Sequence, residues 1–198
     1  MHPSIRGLKC YFTMSLRTEH GDENPSEYLP DSAWRVADKH GLSITLHLAK
    51  NGALSAPENL SYVCEMAERY KNATLVLAHS ARAFSARTAI ESVDALKKHE
   101  NIFFDFSAIC ESPSIIKILN TVGTSRCMWG SDYPTNTFRG KAISYADKFI
   151  WLDSTKLSDC WNLGVENLKA VKEASDIVGL SRTEIENLFY NTANYLWK

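Results

Sequence analysis

The sequence predicts an α/β protein built around a parallel sheet. Three observations carry that expectation. Short apolar runs alternate with amphipathic helical patterns at a spacing of about 25 to 35 residues, the size of one βα unit. The clearest run, "ATLVLAH", is almost continuously apolar, as a strand covered on both faces requires. Helical patterns separate the later four runs, and that alternation implies right-handed crossovers between parallel strands. A doubly wound sheet and part of a (β/α)8 barrel both satisfy these observations.

The elements follow in order. "GLKCYF" (7–12) reads as a strand. After a polar loop comes a helix over 31–41, with Asp31 as N-cap and Gly41 as stop. "SITLHLA" (43–49) is the second strand. A helix over 55–72 opens with a Ser55/Glu58 capping box and has Pro57 in its first turn. "ATLVLAH" (73–79) is the third strand, a helix covers 86–100, and "NIFFDFSAI" (101–109) is the fourth strand. A helix over 112–123 has Ser112 as cap and Pro113 at its first position. "CMWGSD" (127–132) is the last strand. Beyond Pro134 the chain reads as helical or irregular, with a second capping box at Ser181 and Glu184.

Composition excludes several classes. With 198 residues, 44% apolar and 23% charged, the chain suits one globular domain over 1–198 with a real core. A net charge of −1 gives no argument for nucleic acid or an anionic membrane. No apolar run is long enough for a transmembrane helix, and "MHPSIRGLKCYF" lacks the pattern of a signal peptide. The five cysteines include no CxxC pair. They read as reduced, buried thiols of a cytoplasmic protein.

Each of the last four strands carries polar groups near its C-terminal end: His47, His79, Asp105 with Ser107, and Asp132. Lys9 lies inside the first strand. In parallel α/β folds, active sites form at that end. By alternation, His79 shares a face with Leu75 and Leu77, and Asp105 shares one with Ser107. Two imidazoles and a carboxylate converging there suit Zn²⁺ or a similar divalent ion. Such an ion lowers the pKa of a water, and a nearby carboxylate takes its proton. Taken singly, each residue has a plainer reading. A His at a strand end is more often a hydrogen-bonded structural residue, Asp105 can cap a turn, and Asp132 before Tyr133 and Pro134 can close an Asx-turn. Their recurrence at equivalent positions is what favours a site. His40 and His99 end helices, where a cation suits the macrodipole. His20 sits in a polar loop and His2 at the terminus, so neither reads as catalytic. Trp34 and the tail aromatics Phe189, Tyr190, Tyr195 and Trp197 read as core.

The stretches "LHLAK", "LVLAHSAR", "IFFDFSA", "MWGSDYP" and "TEIENLFYNTANYLW", in that order and spacing, resemble the amidohydrolase-related family of metal-dependent hydrolases over nearly the whole chain. The resemblance implies a TIM-barrel-like (β/α)8 fold, apparently incomplete, with strands 4–8 present and strands 1–3 missing. It implies a metal-dependent hydrolase acting on an amide, ester or lactone bond, or decarboxylating, with a small carboxylated compound as substrate. His47, His79 and Asp132 become metal ligands, with Asp132 the catalytic proton acceptor and His79 a ligand or catalytic group. The metal implied is zinc or manganese. Arg82 becomes a holder of a substrate carboxylate, and Lys9 a weaker candidate for a carboxylated lysine. The chain departs from the family pattern in having no His-x-His pair. A barrel without its first strands would expose two sheet edges and an apolar interior, and call for a partner, self-association or a rearranged sheet, of which a homo-oligomer is the expectation. Two further readings stay open: a non-catalytic interaction protein, and a lactonase that works without metal.

Overall fold

The apolar runs form five short strands: β1 (Gly7–Cys10), β2 (Ser43–Leu46), β3 (Thr74–Leu77), β4 (Ile102–Asp105) and β5 (Cys127–Met128). They make one sheet in the order β1-β2-β3-β4-β5, and every pairing is parallel. The structure is a computed structural model that describes residues 4–48, 50, 52–146, 148–156 and 159–198. His2 and Ala49, the end of the expected second strand, lie outside the described residues.

Every strand is shorter than its apolar run. The chain leaves the ladder just where the polar residues begin, so His47, His79 and Asp132 stand beyond strands rather than on them. His79 therefore does not share a face with Leu75 and Leu77. Its φ of 52° turns it off the strand.

Between and after the strands lie α1 (Asp31–His40), α2 (Pro57–Arg69), α3 (Ala86–Leu96), α4 (Ser112–Val122) and α5 (Leu163–Val178). The tail runs through α6 (Arg182–Glu186) and a π-turn (Asn187–Asn191) into α7 (Thr192–Leu196). Side chains alternate along a strand. One face of the sheet carries Ile44, Leu46, Leu75, Leu77, Ile102 and Phe104, all fully buried in the main core. Each contributes roughly 1.5–3 kcal/mol of burial. The other face carries Val76, Phe103 and Met128, closed by Leu196 of α7.

Several caps differ from expectation. Pro30, not Asp31, caps α1. The Asp31 carboxylate instead accepts hydrogen bonds from Tyr70 Oη (2.5 Å) and Arg35 Nη1 (2.5 Å). The Ser55/Glu58 box does not form, because Ser55 Oγ donates to the Gly52 carbonyl (2.7 Å) and Ala56 becomes the N-cap. Glu111 caps α4, one residue earlier than expected. The Ser181/Glu184 box does form, with Ser181 N donating to Glu184 Oε2 (2.8 Å).

The segment after Pro134 also holds an antiparallel ribbon, β6 (Gly140–Tyr145) with β7 (Lys148–Asp153), where helix or irregular chain was expected. Among the tail aromatics, Phe189, Tyr190, Tyr195 and Trp197 are exposed, not core, while Trp34 is fully buried. The reason is helical spacing: Leu188, Thr192 and Leu196 make the inward face, and the aromatics fall off it.

Candidate active site

The chain leaves β3 through a left-handed turn. His79, Ser80, Ala81 and Arg82 have φ of 52°, 47°, 58° and 63°. Four successive non-glycine residues in this region cost roughly 1–2 kcal/mol each. The turn is held by Ala83 N donating to the His79 carbonyl (2.9 Å) and Ser80 Oγ donating to the Asp105 carbonyl (3.1 Å). Ala108 (φ 60°) and Asp132 (φ 52°), at the exits of β4 and β5, are left-handed too. Strain of this kind gathers where surroundings over-determine a functional geometry.

His79 is nearly buried, and a chain of hydrogen bonds fixes its ring. Ser107 N and Oγ donate to the two Asp105 carboxylate oxygens at 2.8 and 2.6 Å. With its proton given to Asp105, Ser107 Oγ is an acceptor, 2.9 Å from His79 Nδ1, and the Ser107 carbonyl lies 3.0 Å from the same atom. Both neighbours accept, so Nδ1 carries a proton, and in the neutral ring Nε2 keeps its lone pair. That lone pair faces Asp132 Oδ2 across 4.0 Å. Two acceptors facing one another define a place for a proton or a cation.

His47, just beyond β2, meets the His79 ring at 5.3 Å between centroids and nearly perpendicular. Tyr11 stacks on it at 5.3 Å. Burial, together with the neighbouring His79, Arg82 and Lys9, pushes its pKa down to about 4. It is therefore neutral near pH 7, the form that binds metals. Its Nδ1 is buried with no partner among the described residues, which costs roughly 1–3 kcal/mol unless a ligand satisfies it.

Arg82 leaves the left-handed turn with its guanidinium 5.6 Å from the Phe149 ring centroid, and burial lowers its pKa from the ordinary value. Phe84 packs on Phe149 and Trp151 of the ribbon at 4.9 and 5.3 Å. His47, His79, Arg82 and Asp132 thus line one cavity of about 480 Å³, with aromatic walls from Tyr11, Phe12, Phe84 and Trp151.

The structure brings together four residues the sequence singled out: His47, His79, Asp132 and Arg82. Asp105 does not line the cavity and acts through Ser107. Lys9 lies on β1 with its Nζ 5.1 Å over the Tyr11 ring, outside the lining. The neutral His47, its orphaned Nδ1 and the facing His79 and Asp132 atoms fit a divalent ion in donor type. Among the described residues, however, no three His, Cys, Asp or Glu side chains stand close enough to enclose one. The arrangement is an open half-site.

Three features escaped the sequence. Gly130 lies against the Asp105 carboxylate, where a Cβ would come within 2.7 Å of Oδ1. Asn167 of α5 donates to the Phe106 and Ile109 carbonyls (2.7 and 2.8 Å) and accepts from Trp129 Nε1 (2.7 Å), tying the exits of β4 and β5 together. His20 lines the same cavity from the loop before α1. The spacing His20-x-x-Glu23 was the available signal.

A parallel βα sheet with imidazoles and a carboxylate at its strand exits defines an α/β fold of the TIM-barrel-like kind. The chain belongs to the amidohydrolase family, whose model matches residues 2–198. Solved structures agree in fold. An amidohydrolase from Burkholderia multivorans with bound HEPES is 13% identical, with TM-score 0.62, covering 97% of this chain and 64% of its own. The same protein with bound zinc is 14% identical, with TM-score 0.60 and the same coverage. A putative 2-pyrone-4,6-dicarboxylic acid hydrolase from Pseudomonas putida is 18% identical, with TM-score 0.55, covering 97% and 63%. This chain thus spans about 64% of the length of the two Burkholderia structures. No curated protein matches it. No helix among the described residues is long and apolar enough to cross a membrane.

Proposed function

We propose that this chain carries the catalytic residues of an amidohydrolase-type hydrolase that opens an ester, lactone or amide bond in a small carboxylated organic compound. The observation that carries the reading is the facing pair, His79 Nε2 and Asp132 Oδ2, at 4.0 Å in a cavity with Arg82 and His47. Asp132 accepts the proton of the attacking water. Ser107 and Asp105 keep the His79 lone pair aimed at the cavity. Arg82 receives the substrate carboxylate, and the aromatic walls hold its apolar body. His47, His79 and Asp132 would hold a divalent ion, zinc or manganese. What such an ion supplies when bound is a more acidic water and a polarised carbonyl. The zinc in the Burkholderia structure supports this choice.

In this reading the five strands correspond to strands 4–8 of a (β/α)8 barrel. The coverage of 64% supports it. The unpaired sides of β1 and β5 among the described residues support self-association into a homo-oligomer. Five free cysteines support a cytoplasmic setting.

The test is hydrolysis of dihydrocoumarin and p-nitrophenyl acetate by zinc-loaded protein beside Asp132→Asn. Saturable turnover that falls about 10²–10⁴-fold in the variant is expected. Equal rates in both proteins would overturn the reading. A metal-independent lactonase is the second reading, favoured by the lack of an enclosed three-donor group among the described residues. It requires the activity to survive a chelator.

A further inference from the structure

The loop between β1 and α1 brings a second ionisable pair to the cavity, one the mechanism above leaves unused. Glu23 is fully buried. Its Oε2 accepts from Gly21 N (2.7 Å), and its Oε1 lies 2.6 Å from His20 Nδ1. Burial alone would raise its pKa, but the Gly21 N–H and His20 outweigh that and hold it below the ordinary carboxylate value. An ionised carboxylate only accepts hydrogen bonds. The proton of the short contact therefore sits on His20 Nδ1, which leaves Nε2 uncommitted to Glu23. Phe12 sets the ring edge-on at 6.0 Å and also contacts His47 at 5.9 Å. The His20 side chain is 29% exposed while Glu23 is at 0%, so the pair has a wet end and a dry end.

A structural pin is the plain alternative. The loop, however, is already pinned by Arg17 against Glu27 (2.6 and 2.7 Å) and by the Asn24/Glu27 capping box. A buried carboxylate assigned to one imidazole on a cavity wall is the arrangement that fixes the tautomer of a catalytic histidine. Hydrolysis of an ester or amide needs two proton handlers, one for water and one for the leaving group.

We propose that His20 is a further catalytic residue, the acid that protonates the leaving group, with Glu23 as its positioning residue. The inference rests on the hydrolase reading above. Water adds to the carbonyl carbon and gives its proton to Asp132. The C–O or C–N bond then breaks, its electron pair goes to the departing atom, and that atom takes the Nε2 proton of His20. Neutral His20 keeps Nδ1–H on Glu23 and regains its Nε2 proton from solvent at its exposed edge. Arg17, Glu27 and Tyr28 interact electrostatically with Glu23, Asp22 acts on Arg17, and Lys50 Nζ donates to Asn24 Oδ1 of the same loop (3.3 Å).

The test has two arms on the whole protein. Long-range ¹H–¹⁵N NMR of the imidazoles, assigned with His20→Gln, His47→Gln and His79→Gln, is read with and without benzoate. The proposal expects His20 protonated at Nδ1 and its Nε2 shifted by benzoate together with His47 and His79. A proton on Nε2 in neutral His20, or a His20 that stays still while His47 and His79 move, overturns the proposal and leaves the hydrolase reading standing. If none of the three moves, the cavity is not the binding site and both fall. The second arm compares δ-valerolactone, a poor leaving group, with p-nitrophenyl acetate, a good one. His20→Gln is expected to lower kcat about 10²-fold or more on the lactone and little on the ester, with KM unchanged. Glu23→Gln is expected to reproduce the leaving-group dependence of His20→Gln, with a larger loss of kcat on the lactone than on the ester, KM unchanged, and the Nδ1 proton of His20 no longer fixed in the NMR spectrum. Equal losses on both substrates, no loss on the lactone, or an unchanged His20 tautomer in Glu23→Gln would overturn the proposal.

Discussion

Replacing Gly130 by Ala strikes the carboxylate that orients His79 without touching any group in the cavity lining. The added Cβ would stand 2.7 Å from Asp105 Oδ1 and 3.3 Å from its Cγ, too close for either to stay. The φ of Gly130 lies outside the left-handed region, so the backbone itself admits alanine. Asp105 must therefore move, and it holds Ser107 by two charge-assisted bonds of 2.8 and 2.6 Å. Loss of one such bond costs roughly 1.5–3 kcal/mol. For a chain of this size that lowers Tm by about 3–12 °C. Ser107 would then release His79 Nδ1, and kcat would fall with stability. Gly164→Ala is the control, because its Cβ would approach Asn136 no closer than 3.3 Å, at the Asn136 Cβ, and would stand 3.5 Å from the Asn136 Nδ2 and carbonyl oxygen. The decisive assay is a double-mutant cycle by urea unfolding. With Asp105→Ala already in place, Gly130→Ala is expected to cost less than about 0.5 kcal/mol, since the clash has gone. Equal costs in both backgrounds would refute the reasoning.

Three other outcomes follow from the same structure. Asn167→Ala removes three hydrogen bonds at a residue 1% exposed and is expected to destabilise by roughly 3 kcal/mol or more in urea unfolding. A loss below about 1 kcal/mol would show that the exits of β4 and β5 are held elsewhere. His99 is buried, its Nε2 has no partner among the described residues, and burial, with Lys98 adding, lowers its pKa. The unfolded chain then binds the proton first as pH falls below about 6.5, so stability is present above that value and declines toward the lower folded value. His99→Gln is expected to flatten that decline in urea midpoints read from pH 7.5 to 5, and an unchanged slope would contradict the assignment. Arg82→Met is expected to raise KM about 10–100-fold for a carboxylated ester and leave an uncharged ester unaffected; equal effects on both would remove Arg82 as the carboxylate holder.

The strands were legible because covered parallel strands leave apolar runs, and the lining of the candidate cavity was legible where those runs end in His47, His79 and Asp132. The strand ends were overextended because alternation cannot show a left-handed φ. Only packing reveals that His79 has left the ladder. The β6–β7 ribbon went unread although "KAISY" and "KFIWL" pair residue for residue, because half-exposed ribbon strands carry a weak apolar signal. Gly130 and Asn167 act through contacts distant in sequence, which no local pattern encodes. His20 looked like a solvated loop residue because the burial of Glu23, which gives it meaning, is a tertiary fact.

The most direct test of the account is metal content after dialysis against zinc, measured by elemental mass spectrometry, for the protein and for a His47→Ala/Asp132→Ala variant. Zinc retained by the protein through this open half-site, and lost from the variant, is the expected result. No retained zinc, or the same amount in both proteins, would contradict the assignment of His47, His79 and Asp132 as the ion-holding set.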